Sequence, residues 1–127
     1  MNRVIYLEFG RIELLEDYLI IEFNEGVIFN AAINETIISI VEAHFGDRSF
    51  GYITNRVNSY SVDPTIYHRS SSVKNLKSIA IVSHTDTNRV TAGLERIFCK
   101  KPFEIFDNLL DAKEWTRSML VDQRITA

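Results

Sequence analysis

Two short stretches hold the side chains best suited to chemistry. One is Ser83-His84-Thr85-Asp86, with a histidine beside a hydroxyl and two residues from a carboxylate; the other is NRVNSYSVD, residues 55–63, rich in amides and hydroxyls around one guanidinium. A hydroxyl activated by a histidine that an acid orients is the arrangement of nucleophilic catalysis. It requires a serine held in a strained, exposed turn, and no Gly-x-Ser-x-Gly elbow is present. His44, His68 and His84 lack the paired spacing of metal sites, so no metal is expected. Gly10, Gly26, Gly46, Gly51 and Gly93 are too scattered for a phosphate-cradling loop, and no cofactor is expected either. Cys99 follows an apolar helix face and precedes two lysines, which lower a thiol pKa if it is exposed; core filling is the plainer role.

The elements that must position these residues follow from hydrophobic spacing. VIYLEF, RIELLE and YLIIEF read as three strands joined by short turns, an antiparallel start. Phe29, Ile33, Ile37, Ile40, Val41 and Phe45 then recur at three- and four-residue spacing, a helix with Asn30 as N-cap and Gly46 as stop. A strand is predicted at 50–55, and Asp63-Pro64 is read as opening a short helix through Ser70. SIAIVS, residues 78–83, has the continuous apolar character of a central strand covered on both faces. The next helix is predicted from Thr87 to about Phe98, with Val90, Leu94, Ile97 and Phe98 toward the core. Pro102 stops it, PFEIF supplies the last strand, and Asp107 or Asn108 caps a helix whose inner face holds Leu109, Ala112, Trp115 and Met119. The predicted architecture is α/β: a single domain over 1–127 with one mixed β-sheet in βββαβαβαβα order, helices packed against it, and a frayed tail after about residue 120.

Length and composition agree with one core. A chain of 127 residues, 46% hydrophobic and 24% charged, is the size of one domain, and its apolar runs are far shorter than the roughly 20 residues a membrane span needs. The single cysteine excludes an intrachain disulfide, and the N-terminus lacks the pattern of a signal peptide; a cytoplasmic location without integral membrane association is expected. A net charge of −3 argues against nucleic acid as the partner.

The order of elements, the strand-loop-helix unit GYITNRVNSYSVDPTIY, the strand SIAIVS and the closing PFEIFDNLLDAKEW resemble the STAS superfamily, especially its SpoIIAA-like branch of anti-sigma-factor-antagonist-like domains. The resemblance spans roughly Arg3 to Trp115. It implies a non-enzymatic regulatory domain, and in the antagonists a serine in an Asp-Ser-Ser-Gly type motif is phosphorylated at the start of the helix after this strand. Here the matching place reads Ser61-Val62-Asp63-Pro64, so valine and aspartate stand where the hydroxyls would lie. Asp63 then supplies either a fixed negative charge at a helix N-terminus or a helix cap and nothing more.

Right-handed crossovers bring the ends of the strands to one edge, where α/β proteins usually bind ligands. The expected site is a protein-recognition surface on the loop after the strand at 50–55, built from Asn55, Arg56, Asn58, Ser59, Ser61 and Asp63, with His84 and Asp86 beside it and Asn24-Glu25-Gly26 converging on it. The plain alternative is a loop whose side chains meet water. A second functional expectation is a small-molecule or lipid-binding module, its apolar pocket between sheet and helices lined by Tyr52, Tyr60, Tyr67, Phe29 and Phe50, since related SpoIIAA-like domains look similar to lipid-carrier domains. A homodimer through an uncovered edge strand of the N-terminal meander is a further expectation.

Overall fold

The computed structural model of the chain describes residues 2–126, with side chains as far as residue 121. The first three strands, β1 (Arg3–Leu7), β2 (Gly10–Leu14) and β3 (Tyr18–Phe23), form an antiparallel meander. Strands β5 (Phe50–Arg56), β7 (Leu76–Ser83) and β8 (Phe103–Phe106) continue from β3 in parallel, giving the sheet order β1-β2-β3-β5-β7-β8. Two more strands of two residues each, β4 (Ile28–Phe29) and β6 (Ser61–Val62), pair with each other outside this sheet. The mixed α/β architecture is therefore the expected one with a small second sheet added. β7 is covered on both faces, as its apolar run predicts, but it lies one strand in from the β8 edge; β3 and β5 hold the middle.

The helices α1 (Ala31–Phe45), α2 (Ile66–Ser71), α3 (Asp86–Arg96) and α4 (Leu109–Thr126) divide between two cores. Ile12, Leu14, Leu19, Ile21, Phe23 and Ile79 meet α1, α2 and α3 on one face of the sheet. Tyr18, Ile20, Ile53, Ala80 and Val82 meet α4 on the other. Period-two alternation along each strand sends neighbouring residues to opposite cores.

Caps follow sequence logic at both ends of α1. Asn30 accepts from the Ile33 N–H at 3.1 Å, and Gly46, at φ 59°, donates its N–H to Glu42 O at 3.0 Å. Asn34, buried in α1, donates to Ile66 O and Ser70 Oγ, tying α1 to α2. The opening of α2 differs from expectation: the helix runs from Ile66, two residues after Pro64, with Thr65 as an N-cap whose side chain makes no capping bond to the helix. Asp63 closes the turn before it, its Oδ1 accepting from Thr65 N at 3.1 Å and Thr65 Oγ1 at 2.7 Å. Asp63 therefore stands in the turn that leads into α2, three residues before Ile66, with its side chain bonded to Thr65.

α3 departs most from the predicted packing. It begins at Asp86, its N-cap Thr85 accepting from Asn88 N at 3.1 Å, and its inner face is Ala92 and Glu95. Val90, Leu94 and Ile97, assigned to the core by periodicity, are 68%, 61% and 78% exposed. α4 is capped by Asn108, which accepts from Asp111 N at 2.9 Å. Its inner face centres on Ala112, Thr116 and Leu120, with Leu109, Trp115 and Met119 half-buried beside them. The side chains of the stretch read as a frayed tail lie outside the described residues; the backbone of α4 is helical to Thr126.

Gly51 lets α4 approach β5: a Cβ there would lie 2.1 Å from Thr116 Cγ2. Replacing Gly51 with alanine is expected to destabilise the fold by about 1–3 kcal/mol through overpacking, and Thr116→Ser in the same chain to restore most of the loss. Urea denaturation of the single and double variants checks this; equal stabilities for Gly51→Ala and wild type would contradict the close approach.

Candidate functional site

The loop after β5 is fastened down along most of its length. Gly26 N donates to Ser59 O at 2.8 Å, Ser61 N to Val27 O at 2.9 Å, and Asp63 N to Phe29 O at 3.0 Å. Side chains reinforce this frame: Asn58 donates to Phe23 O at 3.0 Å, and Glu25 Oε2 accepts from Ser59 N at 2.7 Å. The expected convergence on the loop is therefore present as direct hydrogen bonds made by Glu25 and Gly26, while Asn24 bonds to Glu8 O and Phe9 O. Tyr60 points inward, its ring 4.8 Å from that of Phe23 and its hydroxyl 3.1 Å from Thr54 Oγ1, so the loop has an aromatic anchor at its centre.

Beneath the anchor lies a charged pair. Arg56, the last residue of β5, faces the helices and is 5% exposed; its Nη2 donates to Glu95 Oε1 at 2.5 Å, and Glu95 on α3 is 2% exposed. Tyr67 on α2 donates to the same carboxylate oxygen at 2.6 Å. The Arg56 guanidinium also sits over the Tyr60 ring, 5.4 Å from its centroid. Burial pulls the Arg56 pKa down, but the hydrogen bond and charge of Glu95 outweigh it and hold the group firmly protonated. Burial drives the phenols of Tyr52, Tyr60 and Tyr67 up, with the Glu95 charge adding to the rise.

The predicted site residues therefore divide. Asn55 and Arg56 are buried and support the loop rather than line its surface. Asn55 Nδ2 donates to Glu22 Oε2 at 3.3 Å while its Oδ1 lies 3.3 Å from His84 Nε2, linking β3, β5 and the start of α3. His84 thus meets an amide, and Ser83 Oγ donates to Thr85 O at 3.1 Å, so Ser83, His84 and Asp86 are not joined as a catalytic triad. Asn58 is half-buried, whereas Ser59, Ser61, Asp63, His84 and Asp86 are exposed. Asp63 is held below its ordinary pKa by the Thr65 hydroxyl first and the Thr65 N–H second.

Sequence reasoning missed Val57, 52% exposed at the head of the loop, and Glu95 beneath it. An exposed valine among polar residues carries no signal of its own. Glu95 had none either, because its partner Arg56 is 39 residues away in the chain.

Between the sheet and α1 and α2 are two small voids of about 20 Å³ each, lined by Asn34, Tyr52, Tyr67, Ser70 and Leu76 among others. The Tyr52 hydroxyl is buried there and makes no hydrogen bond to protein. Each void has room for about one water molecule and is far below the roughly 300 Å³ at which ligand pockets begin. Cys99 is half-buried, and burial raises its thiol pKa despite the neighbouring Lys101, so the lysines do not activate it. Among the described residues, no group of three histidines, cysteines or carboxylates could hold a metal ion, and no helix is long and apolar enough to cross a membrane.

No family model matches the chain, and no curated protein matches it in sequence. Among solved structures it is similar to an uncharacterised protein of the DUF3478 family from Shewanella loihica PV-4, described as having a SpoIIAA-like fold. The two are 13% identical, and the match covers 91% of this chain and 95% of that one at a TM-score of 0.60. The chain accordingly has the SpoIIAA-like, STAS-type fold that its element order and quoted segments resemble.

Removing one partner of the buried pair leaves the other charge without compensation. Glu95→Ala and Arg56→Ala are each expected to cost about 3–5 kcal/mol, while Arg56→Met with Glu95→Leu loses much less; equilibrium denaturation of the three variants decides it. The tyrosines give a second expectation. Their folded pKa values lie above the ordinary 10.0, so their contribution to stability is full below about pH 10 and is lost as pH rises through the folded values. Tyr52, Tyr60 and Tyr67 should ionise only together with unfolding, giving one cooperative alkaline step in both tyrosinate absorbance and circular dichroism. Gradual ionisation of every tyrosine with unchanged circular dichroism would contradict their burial.

Proposed function

We propose that this chain is a non-enzymatic regulatory domain that binds a protein partner through the edge formed by the loop after β5 and the start of α3. The observation that supports it most is the fixed presentation of the loop. Ser59, Ser61 and Asp63 stand exposed on a backbone bonded to residues 24–29 and anchored from below by Tyr60. A surface ordered before binding loses little conformational entropy when a partner arrives. Val57 adds exposed apolar area, and His84 and Asp86 extend the polar rim. Asn55 and Arg56 act from beneath by holding the strand end in place.

The reading also fits the chemistry on this edge. His84 meets an amide rather than an acid-base partner, and Glu95 is sealed in its pair with Arg56. The SpoIIAA-like fold is one whose members include partner-binding regulators, a likeness of fold that suggests a class of function and not a partner. Lipid binding draws less support, because the voids lined by Tyr52 and Leu76 are water-sized and the larger cleft of about 330 Å³, between the β1–β2 turn and α1, is open to solvent.

The test is affinity capture from extracts of the source cells with the wild-type chain and a Ser59→Lys/Asp63→Lys variant. A protein retained by the wild type and lost by the variant, at equal melting temperature, is the expected result. Equal retention of every captured protein by both would count against this edge.

A further inference from the structure

The three inward phenols differ in how their hydroxyls are satisfied. Tyr60 shares a hydrogen bond with Thr54 Oγ1 at 3.1 Å, and Tyr67 donates to Glu95 Oε1 at 2.6 Å. The Tyr52 hydroxyl is buried between sheet and helices and bonds to no protein group. A hydroxyl taken out of water without a replacement bond destabilises the fold that holds it, so such groups are almost always met by protein or by an ordered solvent molecule.

The space beside Tyr52 has the size and the lining for one. Both voids of about 20 Å³ are lined by the same three polar residues, Asn34 on α1, Tyr52 on β5 and Ser70 on α2. A bound water needs roughly 10–15 Å³ and two to four polar partners. Asn34 and Ser70 have bonding capacity to spare. Asn34 Nδ2 reaches Ile66 O at 3.4 Å and Ser70 Oγ at 3.2 Å, while the one hydroxyl hydrogen of Ser70 is divided between Ile66 O at 3.3 Å and Asn34 Oδ1 at 3.5 Å. All four contacts are at or beyond the long end of the usual range, which leaves lone pairs on Asn34 Oδ1 and Ser70 Oγ open to a better donor.

We infer that one internal water molecule is bound beside Asn34, Tyr52 and Ser70, accepting from Tyr52 Oη and donating to Asn34 Oδ1 and Ser70 Oγ. Three bonds are the usual number for a buried water. The remainder of the second void is walled by Ile37, Ile38, Val41 and Phe50, where a second water would find no partner. The site therefore takes water once and excludes any larger ligand by volume. Its place in the fold gives it a structural role: Ser70 follows Tyr67 by three residues, so one face of α2 carries both the water and the bond to Glu95. α2 is thereby tied to β5 by solvent and to α3 by a phenol. This site lies apart from the exposed loop proposed above for a protein partner.

A high-resolution crystal structure of the whole chain should show one water within hydrogen-bond distance of Tyr52 Oη, Asn34 Oδ1 and Ser70 Oγ. In solution, oxygen-17 relaxation dispersion should count one fewer long-lived water in Tyr52→Phe than in the wild type, and Ser70→Ala should shorten the residence time of that water. The urea midpoint of Tyr52→Phe decides the sign. A hydroxyl bonded to water is missed when removed, so the midpoint falls; a dry, unmet hydroxyl is better absent, so the midpoint rises. A crystal structure with no water there, or with Tyr52 Oη bonded directly to a protein group, would overturn the inference. An unchanged count of long-lived waters in Tyr52→Phe, or a raised midpoint, would overturn it equally.

Discussion

A guanidinium cannot be left unpaired in a protein interior, and that constraint organises this fold from the end of β5 outward. Arg56 falls on the helix-facing side of the strand because strand residues alternate, and its place in the sheet leaves it no route to water. Glu95 is the compensating charge, and Tyr67 satisfies the same carboxylate oxygen from α2. Three elements remote in sequence thus meet at one polar centre. Such a pair adds little net stability over an apolar substitute, but it tolerates only one orientation of the helix that carries the acid.

The orientation of α3 follows. Val90, Leu94 and Ile97 lie on the side of the helix away from Glu95, so turning the acid inward turns all three outward. Ala92, the other inward residue, is small enough to let the helix lie close to the sheet. Tyr60 closes the arrangement from above, since its ring stacks on the same guanidinium while its neighbours in the chain pair with residues 24–29. The exposed loop and the exposed helix face are two outcomes of a single buried contact.

How much of this was legible in the sequence depended on the range of the forces involved. The meander, α1 with Asn30 and Gly46, and the alternation of later strands and helices arise from local periodicity and caps, and the chain displays them openly. The approach of Glu25 and Gly26 to the loop, and of His84 to Asn55, followed from crossover handedness alone. By contrast, β4 and β6 are too short to leave a pattern. The burial of Arg56 and Glu95 is a property of a pair 39 residues apart, which no local window contains. The face of α3 was misread for the same reason: hydrophobic periodicity finds the apolar side of a helix, and that side is inward only when no buried charge demands otherwise. The start of α2 was placed two residues early, because an aspartate that closes a turn on Thr65 looks in sequence like one that caps a helix directly.

β3 occupies a singular place in the sheet, pairing antiparallel with β2 and parallel with β5. Its two partnerships differ in the length of chain that must be closed. The hairpins on the β2 side need only short turns, whereas β5 reaches β3 after the whole of α1 has been traversed. Loop closure costs more entropy as the intervening segment lengthens, and non-local pairing slows folding accordingly. The meander is therefore the portion most easily formed first, with β3 as the template on which the parallel half assembles. Arg56 meets its full set of partners only once α2 and α3, which carry Tyr67 and Glu95, are packed in place.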